Sequence, residues 1–193
     1  MKLRNARYLS HDFIDSLLQE GDIAVDATAG NGHDTLYLAQ KVGERGHVYA
    51  FDVQQAALDS TKERLAENGI PEGRVTLILS GHERMADYVK EPVRCVLFNL
   101  GWLPSGDHSV TTRVPTTLAA VEAACGLLLP GGMVSVCVYP GHEEGTRELR
   151  ALEEALAGLD IREYNVLHGN FVNQRENAPQ VYLIQREESL RDC

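Results

Sequence analysis

The sequence predicts an α/β fold: a doubly wound sheet of seven strands, mostly parallel, with an antiparallel last strand. Three observations lead there. Short apolar runs alternate with helical patterns along the whole chain, as repeated strand–helix–strand units require. A turn bearing Gly30 and Gly32 joins the first run to a helix. Polar residues close the runs at their carboxyl ends, which is where such sheets bind ligands.

Taken in order, Ser10 to Glu20 reads as an amphipathic helix, with Ser10 as N-cap and Phe13, Ile14, Leu17 and Leu18 on one face. Gly21-Asp22 ends it. Ile23, Ala24 and Val25 form a buried strand closed by Asp26, and the helix opening at His33 turns Leu36, Leu38, Ala39 and Val42 inward. His47 to Asp52 is the second strand. Gln54 to Asn68 carries Ala57, Leu58, Thr61 and Leu65 at helical spacing, and Asn68-Gly69 stops it. Val75 to Leu79 is the third strand, a short helix covers Glu83 to Val89, and Val93 to Asn99 is the fourth strand.

A polar, glycine-bearing loop from Gly101 to about Thr112 precedes a helix over Thr116 to Leu129. Pro130-Gly131-Gly132 then turns into a fifth strand, Met133 to Tyr139. A helix over about Glu144 to Ala157 and two strands, Arg162 to Leu167 and Gln180 to Gln185, complete the pattern. The loop between those last strands is too short for a helical crossover, so they pair antiparallel. No linker, repeat or low-complexity tract interrupts the 193 residues, which read as one domain including the N-terminal helix at about 10–20.

Charge narrows the function. A formal net charge of −10 argues against broad, nonspecific coating of nucleic acid, which relies on neutralising many phosphates. It leaves room for a local basic patch, and the first seven residues carry three cations and no acid. Cys95, Cys125 and Cys137 lie in apolar runs, without the C-x-x-C spacing of zinc or redox sites, and Cys193 is the last residue. Inert buried thiols and a cytoplasmic location are expected. No stretch is long enough to cross a membrane, the N-terminus lacks the apolar core of a signal peptide, and no metal-ligand spacing is present.

The strand ends supply the candidate site. Gly30 and Gly32 allow close backbone approach to a ligand, and Asn31 sits between them. Asp52 follows Gly32 by 20 residues, the spacing that sets a carboxylate at the neighbouring strand tip to accept ribose hydroxyls, with Gln54 beside it. A dinucleotide fingerprint requires a third small residue at position 35, where Thr35 stands. Asp26 before the turn would repel a diphosphate, yet suits the cationic amino end of S-adenosylmethionine. Asp26 followed by Ala-Thr-Ala-Gly-Asn-Gly is similar to the first motif of methyltransferases using that cofactor, with Thr28 where a first glycine is usual. Ser80 and His82 fall where the adenine would lie; a helix cap and a surface histidine are their plain alternatives.

Asn99-Leu-Gly-Trp102 resembles the strand end of amino-group methyltransferases, where a polar residue accepts hydrogen bonds from the target amine and an aromatic stacks on a flat substrate. Leu100-Gly101 replaces the usual prolines. Trp102, the sole tryptophan, is otherwise a core residue, although a loop tryptophan is a good platform for an unstacked base. Asp107 and His108 follow on the same loop. A lysine-like amine titrates near ~10.4 and must lose its proton before methylation, so Asp107 would orient it and His108 would relay the proton. His142 is a second candidate relay, and Arg113, Arg147 and Arg175 are candidate phosphate contacts.

Together, residues 26–35, Asn99 to His108, Tyr-Pro-Gly-His at 139–142 and Asn-Phe-Val-Asn-Gln at 170–174 resemble a compact bacterial family. That family was long labelled ribosomal RNA methylases and is associated with methylating the amine of 5-aminomethyl-2-thiouridine at the tRNA wobble position. The resemblance covers nearly the whole chain. It implies a Rossmann-like class I methyltransferase fold, S-adenosylmethionine as methyl donor and a tRNA anticodon stem-loop as partner, with a homodimer admitted. Trp102 and Ser105 stand where the family leads one to expect tyrosine and glycine.

On this reading Asp26, Gly30, Asn31, Gly32, Asp52, Gln54, Ser80 and His82 hold the cofactor, and Asn99, Trp102, Asp107 and His108 position the acceptor. The alternatives are ribosomal RNA or a small-molecule amine as acceptor, a nicotinamide-dependent oxidoreductase, and a cofactor-binding module without catalysis.

Overall fold

A computed structural model describes residues 5–101 and 111–188. The helix α1 (Ala6–Leu17) leads into β1 (Ile23–Asp26), α2 (His33–Val42), β2 (His47–Asp52), α3 (Gln55–Glu67) and β3 (Val75–Leu79). A 3-10 turn, His82–Arg84, runs into the short α4 (Met85–Tyr88), followed by β4 (Val93–Asn99), α5 (Val114–Leu127) and β5 (Leu128–Val138). The chain closes with α6 (Glu143–Ala157), β6 (Tyr164–Gly169) and β7 (Gln180–Arg186).

The seven strands lie in the order β3-β2-β1-β4-β5-β7-β6. The first five are parallel, in a register that sets Ala24 between Val48 and Cys95. β7 runs antiparallel to both β5 and β6. Strand order therefore reverses between β1 and β4, and the carboxyl ends of those two strands open the crevice where ligands of such folds bind.

Two apolar layers hold the sheet. Because side chains alternate along a strand, Cys95 and Leu97 of β4 face one side and Val96 and Phe98 the other. The first side packs on Ile14 of α1 and on Leu38, Ala39 and Val42 of α2. The second packs on Ala120, Val121 and Ala124 of α5 and Leu152 of α6. Phe51 and Phe98 are fully enclosed, each contributing roughly 2–3 kcal/mol of apolar burial.

Cys95, Cys125 and Cys137 are buried free thiols, and burial pushes Cys125 up to about 11 and Cys137 up to about 12. Among the described residues no helix is long and apolar enough to cross a membrane.

Several boundaries differ from the sequence reading, three of them instructively. The first helix begins at Ala6 and ends at Leu17 instead of running from 10 to 20. Its cap is Asn5, whose side chain accepts from the Tyr8 N–H at 3.0 Å. Ser10, the expected cap, is buried inside the helix with its hydroxyl 2.6 Å from that of Ser135 in β5. β5 starts at Leu128, five residues before Met133, because Leu128 already pairs with Val93. The last helix before the final hairpin is followed by β6 at Tyr164, two residues later than Arg162.

Candidate active site

The turn after β1 is tied down on both sides. Ala27 N–H donates to the Leu97 carbonyl of β4 and Ala29 N–H to the Phe51 carbonyl of β2, each at 2.8 Å. Gly30 and Gly32 adopt φ of 53° and 75°, the left-handed region that glycine enters without penalty. Gly30 N–H then points at Asp52, whose Oδ2 accepts it at 3.0 Å, while Asp52 Oδ1 accepts the Gln54 N–H at 2.9 Å. One hydrogen bond on each oxygen fixes the carboxylate and leaves each with a further lone pair.

The next strand end continues this wall. Ser80 N–H donates to the Asp52 carbonyl at 3.0 Å. His82 is buried with Nδ1 3.2 Å from the Ala27 carbonyl, which can only accept, so Nδ1 carries the proton. Burial lowers its pKa below the ordinary histidine value, favouring the neutral ring, and that ring stands edge-on to Phe98 at 5.5 Å between centroids.

These groups face a cavity of about 570 Å³. Gly30, Asn31, Asp52, Gln54, Ser80 and His82 all line it. Asp26 and Gly32 stand behind this wall, outside its lining residues. Asp26 is fully buried beneath the turn, accepting from Thr28 N–H at 3.1 Å and from the Thr35 hydroxyl at 2.6 Å. Burial, reinforced by the nearby charge of Asp34, pushes Asp26 up to about 7. Gly32 caps α2, where a Cβ would lie 2.8 Å from Thr61 Cα.

The opposite end of the cavity is organised by Asp34, in the first turn of α2. Its Oδ1 accepts from Arg7 Nε at 2.8 Å, Arg7 Nη2 at 2.5 Å and His11 Nε2 at 3.0 Å; its Oδ2 accepts from Asn99 Nδ2 at 2.6 Å. Burial opposes ionisation of this carboxyl, yet the hydrogen bonds from His11 and Arg7 outweigh it and hold Asp34 at about 2. His11 is itself set by stacking on Tyr37 at 3.9 Å. An ionised carboxylate accepts only, so the amide of Asn99 must show it the NH2 side. Asn99 Oδ1 is then turned elsewhere, buried and without a partner among the described residues. Asn99 lines the cavity, and its own N–H is fixed on Thr28 Oγ1 at 2.8 Å.

The loop leaving β4 is pinned where it returns. Thr112 N–H donates to the Gly101 carbonyl at 3.0 Å, and Thr112 Oγ1 accepts the Gly101 N–H at 2.8 Å. Buried Glu148 of α6 holds this join, accepting from Thr112 Oγ1 at 3.0 Å and Thr117 Oγ1 at 2.6 Å. Trp102, Asp107 and His108 lie outside the described residues. His142, the second histidine singled out above, lines the cavity; its Nδ1 accepts from Gly145 N–H at 3.1 Å at the start of α6, which places its proton on Nε2. Arg113 also reaches the cavity, whereas Arg147 is paired with Glu143 and Glu144.

Sequence reasoning missed Arg7, Asp34, Thr111 and Glu148. Asp34 is the one a sequence signal pointed towards: an acid in the first turn of the helix that the glycine turn opens.

Comparisons place this geometry among known proteins. Residues 48–185 match the family described as "Putative rRNA methylase". The chain is 36% identical to an Arabidopsis thaliana protein named tRNA (mnm(5)s(2)U34)-methyltransferase, chloroplastic, over 95% of this chain and 70% of that one. A crystal structure described as a "putative rRNA-methylase" from Clostridium thermocellum, 42% identical, superposes with a TM-score of 0.93 over 96% of this chain and 100% of that one. A "putative methyltransferase" from Streptococcus mutans in complex with SAH, 38% identical, gives 0.87 over 96% and 99%.

Proposed function

Because the chain belongs to the family described as rRNA methylases, we propose that it is an S-adenosylmethionine-dependent methyltransferase acting on the aminomethyl nitrogen of wobble 5-aminomethyl-2-thiouridine in tRNA. The observation that carries this reading is the two-ended cavity. One end is built for a nucleoside: Asp52 retains an acceptor lone pair on each oxygen for ribose hydroxyls, and Gln54, Ser80 and neutral His82 continue that wall. The other end presents Asn99 Oδ1, an oriented acceptor that an amine N–H would satisfy.

When bound, S-adenosylmethionine supplies a methyl group already activated by its sulfonium. The protein's part is therefore alignment, which can contribute much of the acceleration of a two-substrate reaction. Asp52, Gln54, Ser80 and His82 hold the nucleoside end, and the backbone at Gly30 and Asn31 closes over the turn. Asn99 orients the amine, and Trp102 stacks on the base that bears it. Asp107 orients the amine, and His108 takes the proton that the ammonium form must lose before transfer. The name of the Arabidopsis relative, a methyltransferase of tRNA position U34, supports tRNA as the acceptor and the anticodon stem-loop as the partner.

The family description favours a second reading, a base of ribosomal RNA as the acceptor. Labelled methyl transfer to tRNA lacking the final wobble methyl, set beside transfer to unmodified ribosomal RNA, separates the two. Label in the tRNA's methylaminomethyl-thiouridine is the expected result, and label confined to ribosomal RNA would replace it with the second reading.

A further inference from the structure

We infer that Asn99 Oδ1 and Thr111 Oγ1 together receive the two N–H bonds of a primary amine, and that this pairing limits the enzyme to one methyl per acceptor nitrogen. The inference rests on the functional reading above and deepens it, naming what selects the acceptor and what stops the reaction.

Both atoms are buried, both residues line the cavity, and among the described residues neither atom has a hydrogen-bond partner. Buried polar atoms are nearly always paired, so two orphan atoms on residues that line the same cavity mark a place for a ligand to complete the pattern. Neither residue is placed to relax away. The Asn99 amide is held through Nδ2 by ionised Asp34, and its backbone by Thr28. Thr111 precedes Thr112, which is fastened to Gly101 through both its N–H and its hydroxyl, and to Glu148 beyond. The strand end and the returning loop are thus clamped together, each bringing one acceptor.

A primary amine as free base has two N–H bonds and one lone pair, arranged tetrahedrally. Two acceptors that take the two N–H bonds leave the lone pair as the remaining direction, aimed away from both oxygens. In the transfer, that lone pair forms the N–C bond while the S–C bond breaks and its electron pair passes to sulfur. Sulfur becomes a neutral thioether and nitrogen a secondary ammonium. The ammonium still has two N–H bonds, so both oxygens hold it as positive charge develops, and it then gives one proton to water.

The free secondary amine that results has a single N–H. Presenting its lone pair in the same direction sets a methyl against one oxygen and leaves that buried acceptor unpaired. An unmade buried hydrogen bond is more costly than a made one is favourable. The contacts that favour the first transfer therefore oppose the second. A hydroxyl acceptor, with one O–H, is disfavoured for the same reason.

Thr111→Val keeps the side chain's shape and removes its hydroxyl; Thr111→Ser keeps the hydroxyl. The probes are two anticodon stem-loops, one with 5-aminomethyl-2-thiouridine and one with its methylaminomethyl product. Wild type is expected to bind the primary-amine stem-loop about 10-fold more tightly than the product and to stop at one methyl. Thr111→Val is expected to lower kcat about 10-fold, bind the two stem-loops alike, and form dimethylated nucleoside on long incubation, with cofactor affinity unchanged. Thr111→Ser is expected to restore the preference. A Thr111→Val enzyme with wild-type kcat, preference and single methylation overturns this inference alone. A wild-type enzyme that binds cofactor but never methylates the primary-amine stem-loop overturns the functional reading, and this inference with it.

Discussion

Asn99 Nδ2 and Asp34 Oδ2 lie 2.6 Å apart, and this single hydrogen bond decides which way the Asn99 amide points. Asp34 belongs to the helix that the glycine turn opens, and Arg7 and His11 of α1 hold its charge. The N-terminal helix, remote in sequence from β4, thereby sets the orientation of the residue at β4's end.

Replacing the charge at this point tests the arrangement. Asp34→Asn offers Asn99 an amide that can present oxygen or NH2, so Oδ1 loses its fixed direction. Turnover is expected to fall about 10- to 100-fold, with cofactor Kd within about 3-fold of wild type, measured by single-turnover kinetics and calorimetry. Unchanged turnover would remove Asp34 from the positioning of the acceptor.

Asp34 and Asp26 give stability opposite dependences on pH. Asp34, held at about 2 against an ordinary 3.8, contributes fully above pH 3.8 and loses that contribution as pH falls through about 2. Asp26, raised to about 7, contributes fully below pH 3.8 and loses its contribution as pH rises through about 7. Asp26→Asn stays neutral throughout. Its melting temperature is expected to decline less than that of wild type between pH 6 and 8, as thermal unfolding across that window would show.

Asp52→Ala removes both the expected ribose contact and the partner of Gly30 N–H. Cofactor Kd is expected to weaken by about 10-fold or more, since hydrogen bonds to a charged group are each worth roughly 1.5–3 kcal/mol. Titration with SAH measures this, and an unaltered Kd would move the ribose site elsewhere.

Gly32→Ala sets a Cβ 2.8 Å from Thr61 Cα, at a residue whose φ is +75°. A loss of about 2 kcal/mol, a fall of several degrees in Tm, is expected. Cofactor affinity should drop with it only so far as the start of α2 shifts, because Gly32 stands behind the cavity wall.

The sheet was legible where buried apolar runs end sharply. His47–Asp52, Val75–Leu79 and Val93–Asn99 are strands at the very residues the pattern marks, and the antiparallel final hairpin follows from its short loop. That the glycine turn and Asp52 line one cavity was legible too, because local strand geometry makes them neighbours. Ser10 misled because its residue type suits a cap, while its actual partner is Ser135, far along the chain. Arg7 and Asp34 were not legible for the same reason: their pairing depends on how α1 packs beside α2, which no local pattern encodes. That Asp26 ends β1 was legible, but its burial under the turn was not, because it depends on hydrogen bonds from Thr28 and Thr35 that no strand pattern encodes.

The central claim is that the cavity joins a nucleoside-cofactor site to an amine-accepting one. One measurement tests it most directly: a single turnover with labelled S-adenosylmethionine on a stem-loop carrying 5-aminomethyl-2-thiouridine, beside the same stem-loop with plain uridine. Label on the amine nitrogen of the first and none on the second is the expected result. Label on both, or on neither while the cofactor binds tightly, would contradict it.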